Sequence, residues 1–332
     1  MSSESLRKDL ISRIARVDEA SFEATALAVF RYQAACNPIY AEYIRLLGIR
    51  TETINRLEKL PFLPIQLFRM NDIQTAEWSP EVVFSSSGTT GMATSSHFVR
   101  RLDWYLACAK QGFEQFYGPV ENYCVLALLP SYLERSGSSL VTMADYFIRL
   151  SRYEQSGFFL YDYDALLTQL TWCRQNSVPT LLLGVSFALL DLAEAHPVPL
   201  GDTIIMETGG MKGRRKELTR EELHEQLKTA FGVTHIHSEY GMTELLSQAY
   251  SKGEGLFYPT ATMRVLIRET TDPLSMERTG RPGAINIIDL ANLDTISFIA
   301  TEDLGRVNAD QSFEVLGRLD YSDVRGCNLM AV

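Results

Sequence analysis

The chain has 332 residues, 46% hydrophobic and 22% charged, an ordinary globular composition with room for a large core in roughly one to three domains. Lys+Arg 31 against Asp+Glu 41 leaves a net charge of −10, which argues against a general nucleic-acid binder, because phosphate backbones demand a basic face. The opening Met1-Ser2-Ser3-Glu4-Ser5 lacks a signal-peptide core, and no apolar run approaches a membrane span. Cys36, Cys108, Cys124, Cys173 and Cys327 are odd in number and form no close pairs along the sequence, so free thiols in a reducing cytoplasm are expected.

In chain order, residues 1–60 read as a helical segment. Asn37-Pro38 is a cap followed by proline at a first helical position, Gly48 suits the far end, and Ile39, Tyr43, Leu46 and Leu47 form a core-facing stripe. Leu60 to Phe68 holds two prolines, Pro61 and Pro64, which exclude a regular helix and predict a packed, extended connector. Residues 61–254 then alternate. Asp103–Tyr117, Ser139–Leu150, Asp164–Asn176 (capped by its aspartate) and Ser186–His196 read as helices, and a capping box at Thr219–Glu222 opens another that ends at Phe231-Gly232. Tyr123–Leu129, Phe158–Tyr161, Thr180–Gly184 and Thr203–Glu207 read as strands. This alternation predicts an α/β fold with mainly parallel sheets flanked by helices. From residue 255 to 332 the strands Ala261–Arg268, Ala284–Ile288 and Ile296–Ala300 follow one another, which predicts a smaller β-rich subdomain.

One stretch organises the chemistry. Val82-Val83-Phe84 runs into Ser85-Ser86-Ser87-Gly88-Thr89-Thr90-Gly91, a strand ending in small hydroxyl- and glycine-bearing residues. Such a loop offers unobstructed N–H and O–H donors, a cradle for phosphate oxygens, although composition alone also suits a surface linker. No Gly-Lys-Ser/Thr follows, so it is not a Walker loop.

This loop resembles the phosphate loop of the adenylate-forming superfamily, and four further stretches repeat the resemblance in order. Glu207-Thr208-Gly209-Gly210 is similar to the glycine pair that lines the adenine. His237-Ser238-Glu239-Tyr240-Gly241-Met242-Thr243-Glu244 contains the Tyr-Gly-x-Thr-Glu motif, in which Tyr240 would stack on adenine, Thr243 would bond the α-phosphate and Glu244 would hold Mg²⁺. Thr301-Glu302-Asp303-Leu304-Gly305 is similar to a motif whose aspartate binds the ribose hydroxyls, with Glu302 where glycine is usual. Gly317-Arg318-Leu319-Asp320, then Arg325-Gly326, is similar to the hinge motif, where Arg318 would reach ribose or phosphate. The resemblance thus implies an ATP and AMP site of Ser86, Ser87, Gly88, Thr89, Thr90, Gly91, Gly209, Gly210, Glu239, Tyr240, Gly241, Asp303 and Arg318, with ATP and Mg²⁺ as cofactors and residues 61–254 as the adenylation core.

The resemblance narrows to the acyl-protein synthetases of the bacterial fatty-acid reductase system (LuxE type), through Leu60–Phe68 and the short length past the hinge. Typical ligases of the superfamily carry a lysine after the phosphate loop and an acylation lysine in a C-terminal domain. Here the loop continues Met92-Ala93-Thr94-Ser95-Ser96-His97 and the sequence ends at Val332. Lys212 is a stand-in for the loop lysine or a solvated turn, and His97 contacts phosphate or lies on the surface. His235 and His237 share a strand face, as metal ligands or, for His237, as a wall of the acyl pocket, to which Ser131–Ser139 is a second candidate. The activity implied is ATP-dependent activation of a carboxylic, expectedly fatty, acid and transfer to a thiol. The acceptor is Cys327 of the chain itself, CoA, a carrier protein or an acyl-reductase partner, and a non-catalytic nucleotide- or acyl-binding partner is the reading from another class.

Overall fold

The computed structural model describes residues 3–86, 94–130, 137–209 and 218–319. Three helices lead: α1 (Ser3–Ile14), α2 (Glu19–Cys36) and α3 (Pro38–Leu46). Asn37 caps α3 as its sequence predicts, its Oδ1 accepting from the Tyr40 amide at 3.0 Å. The buried stripe of α3 departs from expectation. Tyr40 and Ile44 are buried, whereas Leu46 is 69% exposed. The tyrosine wins the inward position because its hydroxyl finds the Pro61 carbonyl at 2.6 Å, so a long aromatic buries without an orphan donor.

The connector Leu60–Phe68 is extended and packed, as its prolines require. It contributes β1 (Leu63–Pro64), parallel to a later strand through Leu63 and Ile299, then a 3₁₀ turn at Ile65–Arg69. Next comes a separate hairpin of β2 (Val82–Ser85) and β3 (Ser96–Val99). The remaining helices are α4 (Leu102–Tyr117), α5 (Ser139–Leu150), α6 (Tyr163–Gln175), α7 (Ser186–Ala195) and α8 (Arg220–Phe231). Between them run β4 (Cys124–Leu128), β5 (Gly157–Phe158), β6 (Thr180–Val185), β7 (Ile204–Thr208) and β8 (His237–Tyr240). These five pair in parallel, in the order β5-β4-β6-β7-β8, with the helices packed on them. Two local expectations need correction. The cap of α6 is Asp162, not Asp164: its Oδ1 accepts from the Ala165 amide, the third helical residue. Strand β5 stops at Phe158 because Leu160 turns the chain at φ 37°.

The later strands are β9 (Ala249–Ser251), β10 (Leu256–Pro259), β11 (Met263–Arg268), β12 (Gly283–Asp289), β13 (Phe298–Val307) and β14 (Phe313–Arg318), antiparallel to one another where they pair, while β13 takes β1 in parallel. They continue the same sheet, because β10 pairs with β9 on one side and β14 on the other, giving twelve strands with β1. The 254/255 boundary therefore falls between paired strands. Two apolar cores result. One lies between the parallel strands and α4–α8; the other joins α1–α3 to β11–β13, where Phe30, Tyr40, Phe62 and Phe298 meet with ring centroids 6.0–6.3 Å apart. Strand β13 starts two residues later than predicted, since Ser297 is held in a turn by buried Gln33, and it runs on to Val307. Among the described residues no helix is long and apolar enough to cross a membrane.

Candidate active site

In a parallel sheet, side chains that follow the carboxyl ends of strands converge on one edge. Here the Tyr240–Glu244 motif leaves the end of β8, Gly209 follows β7, and the β2–β3 hairpin ends toward them. Thr301–Arg306 differs from expectation. It lies inside β13 rather than beyond a strand end, at a register shift between Leu304 and Gly305, and that irregularity re-aims its side chains.

Direct bonds tie the separated motifs together. Ser95, on the return arm of the phosphate hairpin, donates its hydroxyl to Glu244 Oε1 and lies 2.8 Å from Ser86 Oγ. Thr208 Oγ1 donates to Glu239 Oε2, linking β7 to β8 at 2.5 Å. The Tyr240 hydroxyl donates to Asp303 Oδ2 at 2.8 Å. Arg318 Nε is 3.6 Å from Asp303 Oδ1, and its Nη2 is 3.3 Å from Glu302 Oε2. Five stretches spread over more than two hundred residues thus meet around the Glu239–Glu244 turn. Ser87 to Gly91, Gly210, Lys212, Asp320, Arg325 and Cys327 lie outside the described residues, as do 131–136 of the Ser131–Ser139 candidate.

Tyr240 is buried, with its ring edge-on to Phe257 and Phe313, so the two phenylalanines fix its plane. A Cβ at Gly241 would sit 2.3 Å from Glu239 Oε1, so any side chain there displaces that carboxyl. Gly137 is similarly constrained, at φ +85° with a Cβ position 2.9 Å from the Val83 carbonyl; its own carbonyl accepts from the Ser85 amide and anchors the base of the phosphate hairpin. Gly209 turns at φ 70°, and its carbonyl accepts from Ser186 at 2.6 Å.

Burial raises the carboxyl of Glu239 to about 7, opposed by the Thr208 hydroxyl and aided by the nearby charge of Glu207. Burial also raises Glu244, against the Ser95 hydroxyl, and raises Asp303, against the Tyr240 hydroxyl and Arg318. Buried carboxylates want compensating charge. The cations that act on Glu244, Arg69 and Arg318, do so at a distance, and among the described residues none pairs with it directly. Glu244 and the adjacent Thr243 are therefore the residues able to hold a divalent cation, and a buried carboxylate needing positive charge fits one. Among the described residues no cluster of three His, Cys, Asp or Glu side chains forms a self-sufficient metal site, so such an ion would complete its shell with substrate oxygens and water.

His97 is not a surface residue or a phosphate ligand. It is fully buried, edge-on to Phe68. Its Nδ1 donates to the Thr243 carbonyl at 2.7 Å, and Nε2 faces Thr295 Oγ1 at 3.1 Å. Burial drives its basicity down to about 4, so it is a neutral strut under the Thr243–Glu244 turn. Asn292 completes the support by donating to the Glu244 carbonyl at 2.8 Å. His237 is likewise depressed to about 4 by burial and by His235 and Lys252; its Nδ1 lies 3.1 Å from the Tyr117 hydroxyl.

Sequence reasoning missed Ser95, Asn292 and the Glu302 anchor. Glu302, where the resemblance leads one to expect glycine, accepts from Gln66 at 2.8 Å and lies 3.4 Å from Arg69, tying the proline-broken connector to β13. The signal available was that Gln66 interrupts an otherwise apolar connector and Arg69 directly follows it.

No protein-family model matches the chain, and no curated protein matches it in sequence. Solved structures do match. An open conformation of 2-hydroxyisobutyryl-CoA ligase, in complex with 2-HIB-AMP and CoA, aligns with a TM-score of 0.69 at 12% identity, covering 93% of this chain and 78% of that one. The likeness is one of fold: a mixed α/β sheet flanked by helices. The same ligase in its thioesterification state aligns over 97% of this chain and 70% of that one, with a TM-score of 0.65 at 13% identity. ATP-bound MatB from Rhodopseudomonas palustris aligns at 0.55 and 15% identity over 73% of this chain. The chain spans 49% of the length of that MatB structure.

Proposed function

We propose that the chain uses ATP to activate a carboxylic acid as an acyl-adenylate, releasing pyrophosphate, and passes the acyl group to a thiol. The observation behind this is that three sets of bonds, Ser86–Ser95–Glu244, Thr208–Glu239 and Tyr240–Asp303–Arg318, all converge on the Glu239–Glu244 turn. They come from five stretches, and Ser86, Tyr240, Glu244 and Asp303 are of the types that nucleotide chemistry needs. Tyr240 presents a flat, rigidly held ring for a purine, and Asp303 two carboxylate oxygens for ribose hydroxyls. Ser86, with Ser87 to Gly91, supplies donors for phosphate oxygens. Thr243 donates to the α-phosphate, where charge gathers as the carboxylate attacks in line, so catalysis is positioning and electrostatic stabilisation. Mg²⁺, held by Glu244, would neutralise phosphate charge when bound.

Within this class the chain is read as a LuxE-type acyl-protein synthetase acting on a fatty acid, with Cys327 as the acyl acceptor. The motif order and the connector at Leu60–Phe68 support that reading, and Arg325 beside Cys327 favours the nucleophilic thiolate. A second reading takes CoA as the acceptor, and the likeness to a ligase bound to CoA favours it. One experiment separates them. The chain is incubated with ATP, Mg²⁺ and a labelled fatty acid, then treated with neutral hydroxylamine, which cleaves thioesters. Label that appears on the parent and is lost from Cys327→Ser supports self-acylation. Transfer only to added CoA establishes the second reading, and no acid-dependent AMP formation with any acid refutes both.

A further inference from the structure

The lysine expected after the phosphate loop is replaced here by Thr94-Ser95, and Ser95 is only 1% exposed. Its bonds have a fixed direction. An ionised carboxylate only accepts, so the Ser95 hydroxyl hydrogen is committed to Glu244 Oε1. Ser95 Oγ also lies 2.8 Å from Ser86 Oγ, and Ser86 Oγ accepts from the Ser95 amide at 2.9 Å. The Ser86 amide closes the ring by donating to the Ser95 carbonyl at 3.0 Å. This ring sits at the root of the phosphate loop, in a hairpin that is not part of the twelve-stranded sheet. Two residues on, in β3, His97 donates to the Thr243 carbonyl. The return arm of the hairpin therefore holds both the side chain and the backbone of the Thr243–Glu244 turn.

We propose that Ser95 is a positioning residue: it occupies Glu244 Oε1, leaves Oε2 to face a divalent cation, and ties that orientation to Ser86 at the base of the phosphate loop. A neutral hydroxyl relay in this chain thereby couples the phosphate-binding hairpin to the metal carboxylate. The proposal rests on the reading of Glu244 as the magnesium ligand. It accounts for a serine that is buried, doubly bonded and in register with the loop. Groups that orient a metal ligand from behind typically contribute 10- to 100-fold to metal affinity.

The test is a titration of Mn²⁺ into the full chain with a non-hydrolysable ATP analogue, reading free Mn²⁺ by its paramagnetic resonance. Ser95→Ala should weaken Mn²⁺ binding by about 10- to 100-fold, with metal-free affinity for the analogue unchanged, and Ser95→Thr, which keeps the hydroxyl, should bind as the parent does. Where Ser95→Ala fails to fold, Ser86→Ala removes the far half of the relay and should weaken Mn²⁺ by about 2- to 10-fold, the scale of one neutral hydrogen bond. Parent-like Mn²⁺ affinity in folded Ser95→Ala, alongside its loss in Glu244→Gln, overturns the role of Ser95 and leaves the metal assignment standing. Parent-like affinity in Glu244→Gln overturns the metal assignment and this proposal with it.

Discussion

Tyr240→Phe isolates the bond that joins the Tyr-Gly-x-Thr-Glu motif to β13. The substitution keeps the ring and its edge-on contacts with Phe257 and Phe313, at 62° and 81°, and deletes only the hydroxyl that reaches Asp303 Oδ2 at 2.8 Å. The Asp303 side chain is 16% exposed, so water replaces the lost donor poorly. A hydrogen bond to a buried charged acceptor contributes about 1.5–3 kcal/mol. At roughly 2.1 cal/mol/K per residue, 332 residues unfolding together carry roughly 0.7 kcal/mol/K of entropy, so the ligand-free melting temperature should fall by about 2–4 °C. Asp303, released from Tyr240, would turn toward Arg318, 3.6 Å from its other oxygen, and present itself less well to a ribose. ATP should then bind about tenfold more weakly, and calorimetry of unfolding together with titration of ATP measures both effects. An unchanged melting temperature would show that the Tyr240–Asp303 bond contributes nothing. A lower melting temperature with unchanged ATP affinity would remove Asp303 from the ribose site.

Three other outcomes follow from the geometry. Glu239 titrates near 4.5 when unfolded and at about 7 when folded, so between those values the native state holds the extra proton and stability falls as pH rises; Glu239→Gln should flatten that slope, and denaturant unfolding across pH 4.5–7 measures it. His97 behaves oppositely: its folded value of about 4 lies below the ordinary 6.5, so stability is complete above 6.5 and lost as pH falls through 4, and a His97 variant that still folds should lose that acid sensitivity in the same assay. Gly241→Ala places a methyl 2.3 Å from Glu239 Oε1 and should displace the carboxyl from Thr208, costing about 1–3 kcal/mol of stability; in the Glu239→Ala background the penalty should largely vanish.

The α/β class was legible because β4, β6 and β7 are short, mostly apolar runs between helices, among them Arg220–Phe231, where both reciprocal cap bonds form. Strand pairing was not legible from composition. That β10 bridges β9 and β14 depends on Phe257 facing Phe313, a contact between residues far apart in sequence. The candidate site was visible as separate stretches, because Gly241, Thr243 and Glu244 are fixed by local geometry and chemistry. The supports behind them were not, since the bonds by which Ser95, His97 and Asn292 hold the Thr243–Glu244 turn each span more than forty residues. His97 illustrates the difficulty: a histidine near a phosphate loop suggests ligand contact, yet burial against Phe68 and two polar partners make it a strut.

Acid-dependent exchange of pyrophosphate into ATP tests the central assignment most directly, because it requires a reversible acyl-adenylate and no thiol acceptor. With a panel of carboxylic acids and Mg²⁺, the parent chain should exchange label only when a suitable acid is present. Glu244→Gln, whose fold is unchanged, should lose about two orders of magnitude or more, the scale of one preorganised electrostatic element. Exchange at the parent rate in Glu244→Gln, or none by the parent with any acid, would contradict it.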